Sequence, residues 1–215
     1  MTSSRNKILN RIETARNERS SFRTIEIDSE KEIYKPILPD AITCFKNELE
    51  AVSGQCVLCN DEQDLYAKIG KFVSARAFPY LFCRDEDIIS KLKSNNIPYS
   101  DKQEDFEEMQ AGITSCEFLV ARTGSVVVSS ASPSGRQMYI FPPVHIVVAQ
   151  ASQLVDYYAD ALNAIREKYG NHLPSAITTI TGPSRTADIE KTLVLGAHGA
   201  KEIIIFLITQ RYTEI

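Results

Sequence analysis

The chain has no apolar run approaching the roughly 20 residues of a membrane-spanning helix. It also has no excess of basic residues: 24 Lys and Arg stand against 28 Asp and Glu, a formal net charge of −4. The first absence argues against a helical membrane span. The second argues against general binding to nucleic acid or acidic membranes, both of which favour a basic surface. The first twenty residues are too charged for a secretory signal, so a cytoplasmic protein is expected. Cysteine is scarce and odd in number, with five residues, and reduced thiols follow from that count without a signal peptide. Cys56 and Cys59 have CxxC spacing, but no second CxxC exists and no histidine lies nearby in sequence. Residues 55–59 read as a strand, where positions three apart face opposite sides, so structural thiols are expected and no metal. GxGxxG, P-loop, GxSxG and HExxH motifs are all missing. So are internal repeats, low-complexity tracts and Gly/Ser linkers.

What remains is an ordinary globular composition, 43% hydrophobic and 24% charged over 215 residues, enough for one large α/β domain or two small ones. Residues 3–19 carry Ile8, Leu9, Ile12 and Ala15 at helical spacing, an amphipathic arm that packs on the body or on a second subunit. Residues 20–36 are polar and aperiodic. This predicts an arm and linker over 1–36 and one α/β domain over 37–215. Ile42, Phe45, Leu49 and Val52 predict a helix that Gly54 ends. A strand at 55–59, a helix capped by Asp61, a strand at 80–83 and a helix over 85–94 follow. Residues 95–110 read as a polar loop with one turn of helix. The rhythm is that of an α/β layer fold.

The middle of the chain is strand-dense. Apolar runs at 116–121 and 126–129 flank Arg122-Thr123-Gly124-Ser125, a hairpin or a sharply kinked strand. Strands are predicted at 137–141 and 144–149, and Ser152 is expected to cap a helix that closes at Gly170. The C-terminal stretch reads as strand (176–180), loop (181–185), a helix carrying Ala187, Ile189, Leu193 and Val194, a glycine turn, and strand (203–207). Together these predict a βαβ unit.

In such units ligands gather past the carboxyl ends of the strands. Gly182 would let a ligand approach the backbone, Pro183 breaks the strand, Ser184 and Thr186 offer hydroxyls and Arg185 a forked cation. The same residues also suit a plain turn with a helix cap, and Asp188 and Glu190 would repel a nearby anion. Thr123, Gly124, Ser125, His145 and His198 are the other polar interruptions. His145 fits a hydrogen-bonded core histidine as well as a functional one, and His198 can serve carbonyls at a helix end. Brought to one sheet edge, these ten residues would form a rim for a small anionic ligand, a cofactor or a partner protein. No nucleophile–base pair is legible.

Four segments, in order, resemble the LUD-domain family of LutC/YkgG-like lactate-utilisation proteins. They are Arg122 to Ser125 before a valine run, Phe141-Pro142-Pro143-Val144-His145-Ile146, Thr181 to Glu190, and Leu195-Gly196-Ala197-His198-Gly199. The resemblance covers residues 112–208. It implies a Rossmann-like parallel core of the NagB/RpiA/CoA-transferase type with an additional β-rich part. It also implies an accessory role in oxidising L-lactate to pyruvate beside iron–sulfur partner proteins, with no cluster on this chain. Many members carry an acid where this chain has Arg122. Related folds imply instead a free-standing enzyme acting on a sugar phosphate, acyl-CoA or folate-like substrate. An acyl-transfer version would need a carboxylate nucleophile, for which Glu117 and Asp188 are the acids within the motifs. A third reading is a binding module without chemistry whose arm pairs subunits as a homo-oligomer.

Overall fold

A computed structural model describes residues 4–17, 36–186, 194–196 and 198–210. The chain separates into two units, Met1–Pro36 and Ile37–Ile215. The first contains α1 (Ser4–Asn17). The second begins with α2 (Ala41–Ala51), β1 (Gln55–Cys59), α3 (Glu62–Arg76), β2 (Leu81–Phe82), α4 (Glu86–Ser94), β3 (Tyr99–Ser100) and β4 (Ala111–Thr114). It continues through β5 (Phe118–Val120), β6 (Ser125–Ser129), β7 (Val144–Gln150), β8 (Leu154–Val155) and α5 (Tyr158–Tyr169). It closes with β9 (Ile177–Ile180), β10 (Arg185–Thr186), β11 (Val194–Leu195) and β12 (Glu202–Ile208).

Aspartates set the helix starts. Asp40, Asp61 and Asp85 each accept backbone N–H bonds from the first turn of α2, α3 and α4, satisfying donors that a helix start leaves unpaired. The apolar spacing of α2 then buries Phe45 and Leu49, worth roughly 1.5–3 kcal/mol each by removal from water.

Six strands form one parallel sheet in the order β1-β12-β7-β4-β2-β3. β12 lies between β1 and β7, which is why its apolar run is continuous: both of its faces are covered. On one face α3 and α4 bury Leu65, Ile69, Ile88 and Leu92 against Ile113, Ile146 and Phe206. On the other, α2 and a second sheet, ordered β8-β5-β6-β9, bury Phe45, Leu119 and Val126 against Val147, Ile205 and Leu207. Ala161 and Ile165 of α5 cover the outer side of that second sheet, against Val120 and Val127. The expected α/β class, a parallel core with an added β-rich part, is the fold the chain adopts.

The predicted βαβ unit at the C-terminal end is not formed. β9 pairs antiparallel with β6 in the second sheet, whereas β12 joins the parallel sheet. The two adjacent threonines of β9 stay exposed, a pattern for a sheet edge rather than for a strand buried on both faces. Val194–Leu195 is extended and pairs antiparallel with Arg185–Thr186, so the helix expected there does not include Val194. Its remaining positions, 187–193, lie outside the described residues. Two further boundaries move. Residues 137–141 form no strand, because Gly135 at φ +69° turns the chain into a short 3-10 helix, Arg136–Tyr139. Ser152 starts no α-helix. Leu154–Val155 pairs with β5 first, and α5 begins at Tyr158, where the Asp160 carboxylate accepts the Tyr157 N–H at 3.0 Å.

Candidate functional site

β2 and β4 are neighbours in the parallel sheet, but the chain leaves them in opposite directions. After β2 it enters α4 on one face; after β4 it enters the second sheet on the other. Such a divergence opens a crevice beyond the carboxyl ends of the strands. Asp85 follows β2, Ser115 follows β4, and they meet there: Ser115 Oγ donates to Asp85 Oδ2 at 3.1 Å.

From Ser115 the chain turns through Cys116 to Glu117, whose N–H donates to the Val127 carbonyl at 2.8 Å. The Glu117 side chain is 6% exposed. Its Oε1 accepts from Ser129 Oγ at 2.6 Å and from the Tyr169 hydroxyl at 2.7 Å; its Oε2 accepts from Lys168 Nζ at 2.8 Å. Burial alone would raise the pKa of this carboxyl. The bonds from Lys168, Ser129 and Tyr169 outweigh burial and hold it below the usual carboxylate range. Tyr139 steadies the same cluster by donating to the Ser129 carbonyl at 3.0 Å. Gln153 Nε2 donates to the Cys116 carbonyl at 2.6 Å. Burial pushes the Cys116 thiol up to about 12, so it is not an activated nucleophile.

Two hollows share Ser115. The larger, about 330 Å³, opens between the first turns of α3 and the ends of β7 and β12, with Glu62, Gln150 and Gln153 as its polar wall. The smaller, about 170 Å³, is walled by Glu117, Ser129, Ser132, Tyr139, Lys168 and Tyr169. Asp61 and Asp85 already occupy the amino ends of α3 and α4. These helix ends are therefore not the free anion cradles of dinucleotide sites. Glu62 pairs with Lys91 and Glu117 with Lys168. The cleft offers hydroxyls, amides and a fixed carboxylate, a set suited to orienting a small polar ligand by hydrogen bonds.

The residues expected on one rim do not stand at the carboxyl edge: the 123–125 and 181–186 turns meet through Ser125 and Thr181 near the end of α2, and His145 lies in the core. Thr123, Gly124 and Ser125 turn against the last part of α2. A Cβ on Gly124 would stand 2.1 Å from the Leu49 nitrogen. Ser125 Oγ bonds the Thr123 and Thr181 hydroxyls at 2.7 Å each. Gly182 packs on Val52, and Arg185 donates to the Val52 carbonyl at 2.8 Å, as cations do at helix carboxyl ends. Pro183 is half-buried within the same turn. Ser184 and His198 lie at the opposite, amino edge: the Ser184 N–H donates to Ala200, just before β12, and its hydroxyl accepts the His198 N–H at 3.4 Å. Thr186 is in β10. The physical reason is the strand swap: the 181–186 loop follows a strand of the second sheet, so it does not reach the carboxyl edge of the first. Arg122 is paired with Glu48 of α2 at 3.2 Å.

His145 is a core residue. It is fully buried, with Nε2 2.9 Å from Thr114 Oγ1 and its ring 6.2 Å from that of Tyr139. Burial lowers its pKa from 6.5 to about 4. The unfolded chain therefore binds a proton between these values that the folded chain refuses, so stability is lost as pH falls from 6.5 towards 4. The loss approaches about 3 kcal/mol, at 1.36 kcal/mol per unit. His145→Leu should remove that dependence, at a neutral-pH cost of about 1–2 kcal/mol for the orphaned Thr114 hydroxyl. Urea unfolding at several pH values reads both; parallel acid profiles for wild type and variant would refute the assignment.

In the sequence Asp85 reads as the first residue of a helix rather than as a site residue, and Gln153, Lys168 and Tyr169 carry no signal of their own. Ser115 and Glu117 do interrupt an apolar run, which was a usable signal. Lys168 and Tyr169 reach Glu117 across 51 and 52 residues, and no local pattern marks such a pairing.

Cys56 and Cys59 face different cores from opposite sides of β1, and burial pushes their thiols up to about 12 and about 11. Among the described residues no group of three or more His, Cys, Asp or Glu could hold a metal ion. Nor is any helix of the described residues long and apolar enough to cross a membrane.

Fold and crevice define a two-sheet α/β protein with a cleft at the switch point of its parallel sheet. Residues 42–208 match the LUD domain family, and the chain belongs to it. It is similar to lactate utilization protein C of Bacillus subtilis (strain 168), 36% identical over 107 residues, 49% of this chain and 45% of that protein. The lactate utilization protein C of Anoxybacillus flavithermus is 36% identical over 111 residues, 52% of this chain and 49% of that one. The matched region thus spans about half the length of these curated relatives. The crystal structure of a DUF162 family protein from Deinococcus radiodurans shares the fold, with a TM-score of 0.58 at 14% identity, covering 78% of this chain and 96% of that one.

Proposed function

We propose that this chain is an accessory subunit of an L-lactate-utilisation system, which binds a small polar ligand or cofactor in the carboxyl-edge cleft and works beside iron–sulfur partner proteins. The relatives' name supports the pathway. The observation that carries the site is the meeting of two hollows at Ser115, beside a buried carboxylate held in place by three donors.

A free-standing acyl-transfer enzyme would need a carboxylate nucleophile; of the two acids in the motifs, Asp188 lies outside the described residues and the other is Glu117. The donors that stabilise its charge also lower its basicity, and they engage both of its oxygens. The accessory reading is preferred for that reason.

A thermal-shift panel of L-lactate, pyruvate, flavin and nicotinamide cofactors, an acyl-CoA, a folate and a sugar phosphate tests the site. A ligand at a hundred times its Kd should raise the midpoint by roughly 5 °C or more. Ser115→Trp, which fills the junction of the hollows, should abolish the shift, and Ser115→Val should weaken it. A shift that survives both variants places the ligand elsewhere. Deleting the gene should impair growth on L-lactate, and unchanged growth in a strain without a paralogue removes the pathway reading. Turnover of any panel member by the isolated chain would favour the enzyme reading.

A further inference from the structure

β7 and β12 also have an amino edge, about 20 Å from the cleft at 3.3 Å per residue over seven residues. There the Lys201 and Glu202 N–H groups donate to the Pro143 carbonyl at 2.8 and 3.2 Å, tying the two strand entrances together. A hollow of about 490 Å³ opens beside this junction. Ile140 and Phe141 form one wall with 50% and 60% of their surfaces exposed. Gly196, Gly199, His198 and Lys201 form the other.

Three features separate this hollow from an ordinary surface dent. Its described lining includes two basic residues, His198 and Lys201, and no carboxylate. The stem of Lys201 is held against Gly196, where a Cβ would stand 2.3 Å from Lys201 Cγ, so the ammonium is carried on a packed stem rather than a free one. That ammonium has no ion pair with a described residue, unlike Lys168 in the carboxyl-edge cleft. A large apolar wall beside a cation on a packed stem, in a volume typical of small-molecule sites, has a definite complement.

We propose that the amino-edge hollow binds a small organic anion with an apolar body, its acidic group on Lys201 and its body against Phe141 and Ile140. Two of the segments that carry the family resemblance contribute here, Phe141 and Pro143 from one and Gly196, His198 and Gly199 from the other. The site is separate from the carboxyl-edge cleft and does not depend on the reading given for it.

The probe is 1-anilinonaphthalene-8-sulfonate, with N-phenyl-1-naphthylamine as its uncharged counterpart. The folded chain should bind the sulfonate saturably, about one per chain. Lys201→Gln should weaken the sulfonate about tenfold and leave the uncharged probe unchanged; Phe141→Ala should weaken both. Benzoate should displace the sulfonate and benzamide should not. Both positions are at the surface, and circular-dichroism melts establish that the variants fold. Ser115→Trp should bind the sulfonate as wild type does, which keeps this test independent of the carboxyl-edge cleft. Binding that is indifferent to both Lys201→Gln and Phe141→Ala, or fluorescence that rises only on unfolding, would overturn the proposal.

Discussion

Gly124→Ala is expected to destabilise the protein by about 4 kcal/mol, combining overpacking with a left-handed backbone penalty of roughly 1–2 kcal/mol. Gly124 sits at φ +58°, and an added Cβ would fall 2.1 Å from the Leu49 nitrogen and 2.5 Å from the Glu48 carbonyl carbon. Those are main-chain atoms of α2, so no side chain can rotate away. Relief requires α2 to lift from the second sheet, uncovering Phe45 and Leu49. Gly135→Ala is the control: its φ is +69°, but nothing lies within 4 Å of the added carbon. It should cost only about 1–2 kcal/mol, the backbone penalty alone. Equilibrium urea unfolding compares the two, and equal losses would mean that the close approach of α2 is not what requires glycine at 124.

That glycine also shows what the composition of such turns leaves open. A Thr-Gly-Ser turn and a Gly-Pro-Ser-Arg loop look alike whether they cradle a ligand or accept a helix. Here Gly124, Gly182 and Arg185 all close on Glu48 to Val52, so their composition serves packing. The helices and β1 were readable because their signals are local: Asp61 as a cap, acids leading α4, and apolar spacing along α2 and α3. Sheet membership was not readable. β9 and β12 are both short β-branched or apolar runs, and which sheet each joins depends on partners roughly 50 residues away, β6 for one and β7 for the other. Assigning both to one parallel sheet places the following loop, with Gly182 to Thr186, at the carboxyl edge, which β9 does not reach. The recognisable segments marked the family correctly because recognition needs only order and identity, whereas locating a pocket needs the pairing.

The cluster around Glu117 carries the other large expected effect. Glu117→Ala removes the acceptor of Ser129, which is 1% exposed, and of Tyr169. Lys168 also loses its partner, but its side chain is 57% exposed and water can replace the bond. Charge-assisted hydrogen bonds contribute about 1.5–3 kcal/mol each, and relief from burying the carboxylate offsets part of the loss. A net destabilisation of about 3–4 kcal/mol is expected at neutral pH. Glu117→Gln keeps an oxygen for Ser129 and Tyr169 and should cost less, about 2 kcal/mol. The pH dependence gives the sharper test. Because the folded-state pKa of Glu117 lies below the usual 4.5, its contribution is complete above that value and disappears as pH falls through the folded-state pKa. His145 titrates in wild type and in Glu117→Gln alike, so it cancels in their difference. The stability gap between them should hold constant from pH 7 to about 5 and narrow below it. A gap that keeps its neutral-pH size down to pH 3 would mean that Glu117 is not held as a carboxylate by Lys168, Ser129 and Tyr169, and the cleft would lose its fixed charge.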